Sequence, residues 1–265
     1  MDNLSVVDLM GNGTSCLVWS SPMPSGQRQV RYVELTNGAK PHLLTQVDNN
    51  MGAITRLQYA PSTKFYLRDK QQGKPWITRL PFPVQVLERV ETLDQITQSR
   101  FVTLYGYHHG YFDGVEREFR GFGMVEQWDS EQYANANNTL FDVVGANIDE
   151  SSFVPPVYTK TWFHTGFYRN RADISNHYKT EYYGGDNAAW LLPDTLLPEG
   201  LSAAEAREAC RALKGSVLRQ EIYALDGTAQ QATPYTVEEK SYRVERLQPL
   251  VGKAHALFLV TADQA

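Results

Sequence analysis

The stretch that most constrains the fold is Tyr105-Gly106-Tyr107-His108-His109-Gly110-Tyr111-Phe112-Asp113-Gly114, running straight on into Val115-Glu116-Arg117-Glu118-Phe119-Arg120-Gly121-Phe122-Gly123. Asp-Gly supplies two residues that can take positive φ in a type I′ turn, and the aromatic and charged flanks have the composition of paired strands. The string therefore predicts a tight β-hairpin turning at Asp113-Gly114. On its return strand, Gly121 and Gly123 stand between large residues, which predicts a bulge or a close approach of neighbouring backbone. The composition agrees with a β-rich chain: 15 Tyr, 11 Phe and 5 Trp suit pleated surfaces, while 19 Gly and 13 Pro punctuate turns.

Other strands follow from the same logic. Leu4–Val7 and Cys16–Trp19 flank a glycine-rich loop, Arg31–Leu35 forms a short strand, and Asn37-Gly38 marks a tight turn before Pro41-His42-Leu43-Leu44. After Asp48-Asn49-Asn50-Met51-Gly52, the residues Ile54, Arg56 and Gln58 alternate with Thr55, Leu57 and Tyr59, as on a strand with unlike faces. Lys70-Gln71-Gln72-Gly73-Lys74-Pro75 reads as a polar loop, and Pro81-Phe82-Pro83 cannot lie in a central strand because neither proline donates to a ladder. Strands are predicted over Val84–Glu91, Arg100–Tyr107 and, after Pro155-Pro156, Val157–Phe163. Ser21–Gly26 and Glu131–Asn138 have linker composition, and 169–198 reads as an ordered excursion packed by its own rings.

Only one segment argues for a helix. Ser202-Ala203-Ala204-Glu205 is a capping box, so a helix begins at 203. Ala206, Ala209, Cys210 and Leu213 fall on one stripe, and Gly215 is placed to end the helix in left-handed conformation. An alanine-faced helix of about 18 Å should lie close against a sheet. A second hairpin follows, with Val217–Leu225, a turn at Asp226-Gly227 and a return from near Tyr235 to Leu247. Val217, Arg219, Glu221 and Tyr223 alternate with Ser216, Leu218, Gln220 and Ile222, so neither face is cleanly apolar. Such strands suit a wall with water or polar cargo on each side.

Charge and apolar runs exclude several classes. The formal net charge is -5, and no Lys/Arg run supplies a footprint for a phosphate backbone, so nucleic acid is not an expected partner. Ala256-Leu257-Phe258-Leu259-Val260 is strand-sized, far short of the roughly 20 residues that span a bilayer. The amino terminus lacks the basic and apolar regions of a secretory signal. Cys16 and Cys210 fit neither a disulfide framework nor a zinc site and read as small apolar residues.

Candidate chemistry is sparse. Asp8-Leu9-Met10-Gly11-Asn12-Gly13-Thr14-Ser15-Cys16 looks like the calcium loop between strands of integrin-like propeller blades, but Met10 and Cys16 offer no oxygen at its third and ninth positions, so it reads as a structural turn. With only seven residues ahead of the loop, any other blades are expected to lie outside this chain. His108-His109 with Asp113 and Glu116 is the best metal or acid/base grouping, yet neighbouring strand residues point to opposite faces, so at most one histidine can join a common site. His164, His177 and Asp173 have no recognised spacing. Glu116 and Glu118 share a strand face, and a glycosidase needs two carboxylates about 5 to 10 Å apart, but both read as solvated charges paired with Arg117 and Arg120. No phosphate loop, nucleophile elbow or Cys/His dyad is present. No catalytic, cofactor-binding or metal residue is assigned.

The string from Tyr105 to Glu126, with Val7-Asp8-Leu9-Met10-Gly11-Asn12-Gly13 before it and Arg211-Ala212-Leu213-Lys214-Gly215 through Leu225-Asp226-Gly227 after it, resembles the middle region of the B component of bacterial Tc insecticidal toxin complexes. Proteins with the Salmonella virulence plasmid B domain and Rhs/YD repeats share the pattern. The resemblance implies a mainly β chain whose antiparallel hairpins form part of a large curved β-sheet shell, with one short helix and a remnant of a propeller blade. It implies residues 1–25 as the end of the propeller, 26–150 as the amino-terminal half of the middle region and 151–265 as its carboxy-terminal half. The implied function is non-enzymatic: with a C component the chain helps build a hollow shell around a cytotoxic effector, docked through the propeller on a pore-forming A component. Partners would be those two components, with no nucleic acid, membrane contact or cofactor, in a complex made in the cytoplasm and released without a signal peptide. The self-cleaving aspartyl site of such shells belongs to the partner. Competing classes are a carbohydrate-binding or carbohydrate-cleaving β domain, suggested by Trp128, Trp162 and Trp190 beside carboxylates, and a propeller-type adhesin.

Overall fold

The computed structural model describes residues 3–20, 30–96, 100–130, 155–185 and 191–265. The linker expected at Ser21–Gly26, the loop expected at Glu131–Asn138, and Trp190 lie outside the described residues. The chain is mainly antiparallel β. Strands β1 (Asn3–Val7), β2 (Cys16–Ser20) and β3 (Val30–Glu34) form a three-stranded sheet. An eight-stranded sheet follows, built from β4 (Gln46–Asp48), β5 (Ala53–Pro61), β6 (Gln85–Asp94), β7 (Arg100–Asp113), β8 (Glu118–Ser130), β9 (Val157–Phe163), β10 (Val217–Ala224) and β11 (Thr236–Glu239). Its spatial order is β11-β10-β9-β8-β7-β6-β5-β4. β12 (Ser241–Gln248) and β13 (Leu257–Gln264) pair with each other.

The central hairpin lies where the sequence places it, but its turn is different. Residues 114–117 connect β7 to β8, and the Asp113 carboxylate accepts from the amides of Val115 and Glu116 at 2.9 and 3.1 Å. Gly114 does not take positive φ; Arg117 does, at 53°. The side chain of Asp113, not the freedom of Gly114, makes the turn. The bulge expected on the return strand is present, with Gly121 at φ 90° and a register shift opposite Gly110–Phe112. Asn37 (φ 52°) and Gly38 (φ 75°) likewise form the tight turn their sequence predicts.

An α-helix that the sequence does not announce, α1 (Ser62–Gln71), follows β5 directly. Pro61 stands at its N-cap with no side-chain hydrogen bond and no acid follows in the first turn, so the usual start signals are missing. Its buried stripe is Ser62, Phe65 and Asp69, with one apolar residue where an amphipathic pattern needs several. β6 and β7 pair only over Arg89–Leu93 and Arg100–Leu104, and α1 packs against β5 and β7 beside the place where that pairing ends. Phe65 there meets Tyr107 edge to face at 5.6 Å and belongs to a core with Ala60 and Val86.

The predicted helix α2 (Ala203–Ala212) carries its full capping box, and Gly215 adopts φ 84°. Ala209, Cys210 and Leu213 join Ile174 and Val244 in a core flanked by Phe258 and Val260, so the alanine face lies on the β12–β13 pair. The second hairpin departs from expectation. Its return strand ends at Glu239, and after Lys240, whose amide still donates to the Leu218 carbonyl at 2.8 Å, β12 leaves the large sheet. Nor is its polar face hydrated. Arg219 and Glu221 are 2% and 0% exposed, bonded to each other at 2.7 Å, with Arg219 also reaching Glu239 at 2.9 Å beneath the ring of Tyr182. Within the expected excursion, Tyr182 supplies that cover, and the 3₁₀ helix before it, Asn176–Glu181, carries the fully buried Tyr178.

Candidate functional site

A cleft of about 970 Å³ opens on the eight-stranded sheet. Its floor includes His108, Met124, Glu126, Trp128, Lys160 and Trp162 from β7, β8 and β9, and α1 and the 3₁₀ helix contribute its sides. His108 and His109 both line it, although successive strand residues should face opposite ways. The reason is local: His109 sits at φ 54°, which breaks the alternation and leaves the two rings 6.4 Å apart.

His108 is held at both nitrogens. Nδ1 lies 2.6 Å from Asp69 Oδ2 and Nε2 lies 3.0 Å from Glu126 Oε2. With a carboxylate on each side, both nitrogens must donate, so the ring is an imidazolium. Burial alone would push it down; the hydrogen bonds to Asp69 and Glu126 outweigh that and raise it to about 9. Burial likewise works against ionisation of Asp69 and Glu126, and their bonds to His108 overcome it, so both sit below the ordinary carboxylate range. Trp76 Nε1 donates to Asp69 at 2.7 Å, the Tyr158 hydroxyl donates to Glu126, and Arg68 stands 3.7 Å from Glu126. Gly106 makes room for this arrangement, since a Cβ there would lie 2.8 Å from Glu126 Oε2.

His109 is used differently. Its Nδ1 accepts from the Ile77 amide at 3.1 Å and its Nε2 donates to Glu181 at 2.7 Å; the other oxygen of Glu181 accepts from Trp162 Nε1 at 3.2 Å. Asp113 and Glu116, grouped with the two histidines by sequence, lie elsewhere. Asp113 pairs with Arg120 at 3.0 Å and Arg207 at 3.4 Å, and Glu116 approaches Arg211 at 3.7 Å. Glu118 takes Lys214 at 2.8 Å and Arg120 at 3.2 Å, so these carboxylates dock α2 on the hairpin tip.

Chemically the cleft is committed to itself. An imidazolium that donates from both nitrogens has no lone pair to act as a base, and its carboxylates are ionised acceptors with no proton to give. Asp69 and Glu126 grip one ring and do not face each other across an open sugar site. Trp162 is fully buried, and one face of Trp128 is stacked on Tyr158 at 4.9 Å. Among the described residues no group of three or more His, Cys, Asp or Glu is arranged to hold a metal ion. In the 8–16 loop, Asp8 accepts from the amides of Asn12 and Gly13 at 3.1 and 2.8 Å, which spends its carboxylate on the turn. Sequence reasoning missed Asp69, Glu126 and Glu181, which lie 39, 18 and 72 residues from the histidines they hold.

Comparison with known proteins gives a consistent result. The family model described as the insecticide toxin TcdB middle/N-terminal region matches residues 2–166, and the middle/C-terminal model matches residues 208–264. The crystal structure of TcdB2-TccC3-Cdc42 aligns with a TM-score of 0.78 at 32% identity, covering 98% of this chain and 12% of that one. The Photorhabdus luminescens Tc holotoxin pore, with a mutation in TccC3, aligns with a TM-score of 0.76 at 33% identity and the same coverages, 98% and 12%. The TcdB2-TccC3 crystal structure gives 0.75 at 31% identity, again covering 98% and 12%. This chain therefore spans about 12% of the length of the solved chains it matches. No curated protein matches it.

Proposed function

We propose a structural role for this chain on the premise that it belongs to the insecticide toxin TcdB middle-region family. It forms a non-enzymatic segment of the shell wall in a toxin-complex B component. The observation that carries this is the alignment of 98% of the chain, at 32% identity, with TcdB2 in a structure that also contains TccC3. The cleft supports the same conclusion, because each acid or imidazole that might do chemistry there is already bonded to another part of the chain.

In this role a C component is the direct partner in the wall, and a pore-forming A component is reached through the rest of the B component. The assembled shell would enclose a cytotoxic effector and work outside the cell that makes it. Residues 1–25 are assigned to the end of a propeller, and 26–150 and 151–265 to the two halves of the middle region.

The test is assembly. The chain, placed within an otherwise complete B component and co-expressed with a matching C component, should be found in the wall of the purified shell by electron microscopy. Particles that close without it, or a complex in which it hangs free of the wall, would refute the role.

A further inference from the structure

We propose that the 3₁₀ segment Asn176–Glu181 is an acid-operated latch, in which a proton arriving on His177 draws that ring onto Asp173, unseats Tyr178 from Gly123 and opens one side of the cleft. The inference is independent of the shell role.

It starts from three orphaned atoms. Nδ1 and Nε2 of His177 and Oδ1 of Asp173 are buried and have no hydrogen-bond partner among the described residues. His177 Nδ1 stands 3.7 Å from Asp173 Oδ1, too far for a hydrogen bond and near enough to close with a small rotation. A buried imidazole without partners is a cost to the fold, and nothing in its packing requires the nitrogens. The ring is enclosed by His164, Phe167 and Tyr178, with centroids at 6.2, 5.8 and 4.3 Å, where a phenyl ring would fill the same space.

The surroundings carry charge of both signs. Asp173 is also approached by Arg169 at 3.5 Å. Asp194 accepts from the Ile174 and Ser175 amides at 2.7 Å each. Lys179 and Glu181 lie on the segment itself, His109 of β7 packs on Tyr178 at 5.2 Å, and Arg120 of β8 acts on His164. Burial, the dominant influence, pushes His177 down to about 4 and His164 to about 3, and the Asp173 carboxyl is raised by burial and by Asp194. Both imidazoles are therefore neutral in the closed form. Their contribution to stability is complete above the ordinary value near 6.5 and is lost as pH falls through those lower values.

The segment has something to release. A Cβ on Gly123 would lie 1.9 Å from the Tyr178 hydroxyl, so Tyr178 occupies the space of the missing side chain. Thr180 and Glu181 line the cleft, and Glu181 holds His109 and Trp162. Withdrawing the segment uncovers the Gly123 strip and enlarges the cleft beside Trp162.

Hydrogen exchange of the 265-residue chain, followed from about pH 7.5 to about pH 4, tests this. Amides of 174–183 should lose protection on acidification before those of β7–β9. His177→Phe should lower the midpoint of that opening by about one pH unit or more, and Asp173→Asn should lower it by less. Opening of 174–183 only together with the whole sheet, or an unchanged midpoint in His177→Phe, would overturn the proposal. Should His177→Phe fail to fold, the NMR titration of the His177 ring in the unaltered chain decides. A ring still neutral at pH 5 supports the latch, and titration at or above the ordinary value near 6.5 ends it.

Discussion

The cleft and the lobe under α2 both bury histidine, in opposite charge states. His108 stands between two carboxylates and is raised to about 9; His164 donates to the Ile174 carbonyl, accepts from the Gly166 amide and is lowered to about 3, mainly by burial. Side-chain exposure, 12% for His108 and 1% for His177, follows the same trend but is not the whole cause. Asp69 at 4% is nearly as hidden and remains ionised because the imidazolium faces it. Partner and depth act together here: His108 keeps its charge because two carboxylates grip it, whereas His164, with no carboxylate bonded to it, is held neutral mainly by burial.

The sharpest way to break that contrast is to remove one ion. Asp69→Ala leaves the imidazolium half-paired in a buried place and should cost about 3 to 5 kcal/mol in urea unfolding. A loss below about 1 kcal/mol would mean that His108 gives up its proton freely and the two regions do not differ. Where the regions meet, Gly123→Ala forces a methyl group into the Tyr178 hydroxyl and should cost about 3 kcal/mol, relieved in part by adding Tyr178→Phe. Equal losses with and without the second change would count against the close approach.

Alkali should discriminate next. Because His108 is raised when folded, its contribution is complete below the ordinary value near 6.5 and is lost as pH climbs through about 9, on the order of 3 kcal/mol in all. Urea midpoints measured from about pH 6 to about pH 10 should fall in the unaltered chain and stay flatter in His108→Gln. The smallest effect is expected at Gly114→Ala, within about 0.5 kcal/mol, since that glycine has no positive φ and nothing within 4 Å of an added Cβ. A large loss there would restore the turn that Asp-Gly suggests.

What was legible in the sequence was local. The hairpin position, the Gly121 bulge, the Ser202–Glu205 box and the stop at Gly215 each depend on residues a few positions apart. α1 was not legible because Pro61 and Ser62 give no side-chain cap and its inward stripe includes a carboxylate. That carboxylate, Asp69, is also the one that makes His108 what it is, so the missed helix and the missed ion cluster are one failure. The alternation in β10 misled in another way: Arg219 and Glu221 read as a hydrated face, yet they neutralise each other beneath Tyr182. Period-two polarity shows which residues share a face and does not distinguish water from an ion partner.

The short pairing of β6 with β7 has a mechanical meaning. These strands share five pairs against ten between β7 and β8, so a pull across the sheet would tear along that seam before it parted the central hairpin. The fasteners lie there too. Arg100 grips Glu91 at 2.8 Å over the paired stretch, and beyond it Asp69 rivets α1 to His108. Under load, the shortest seam between β5 and β10 is the one its charges have been set to sew.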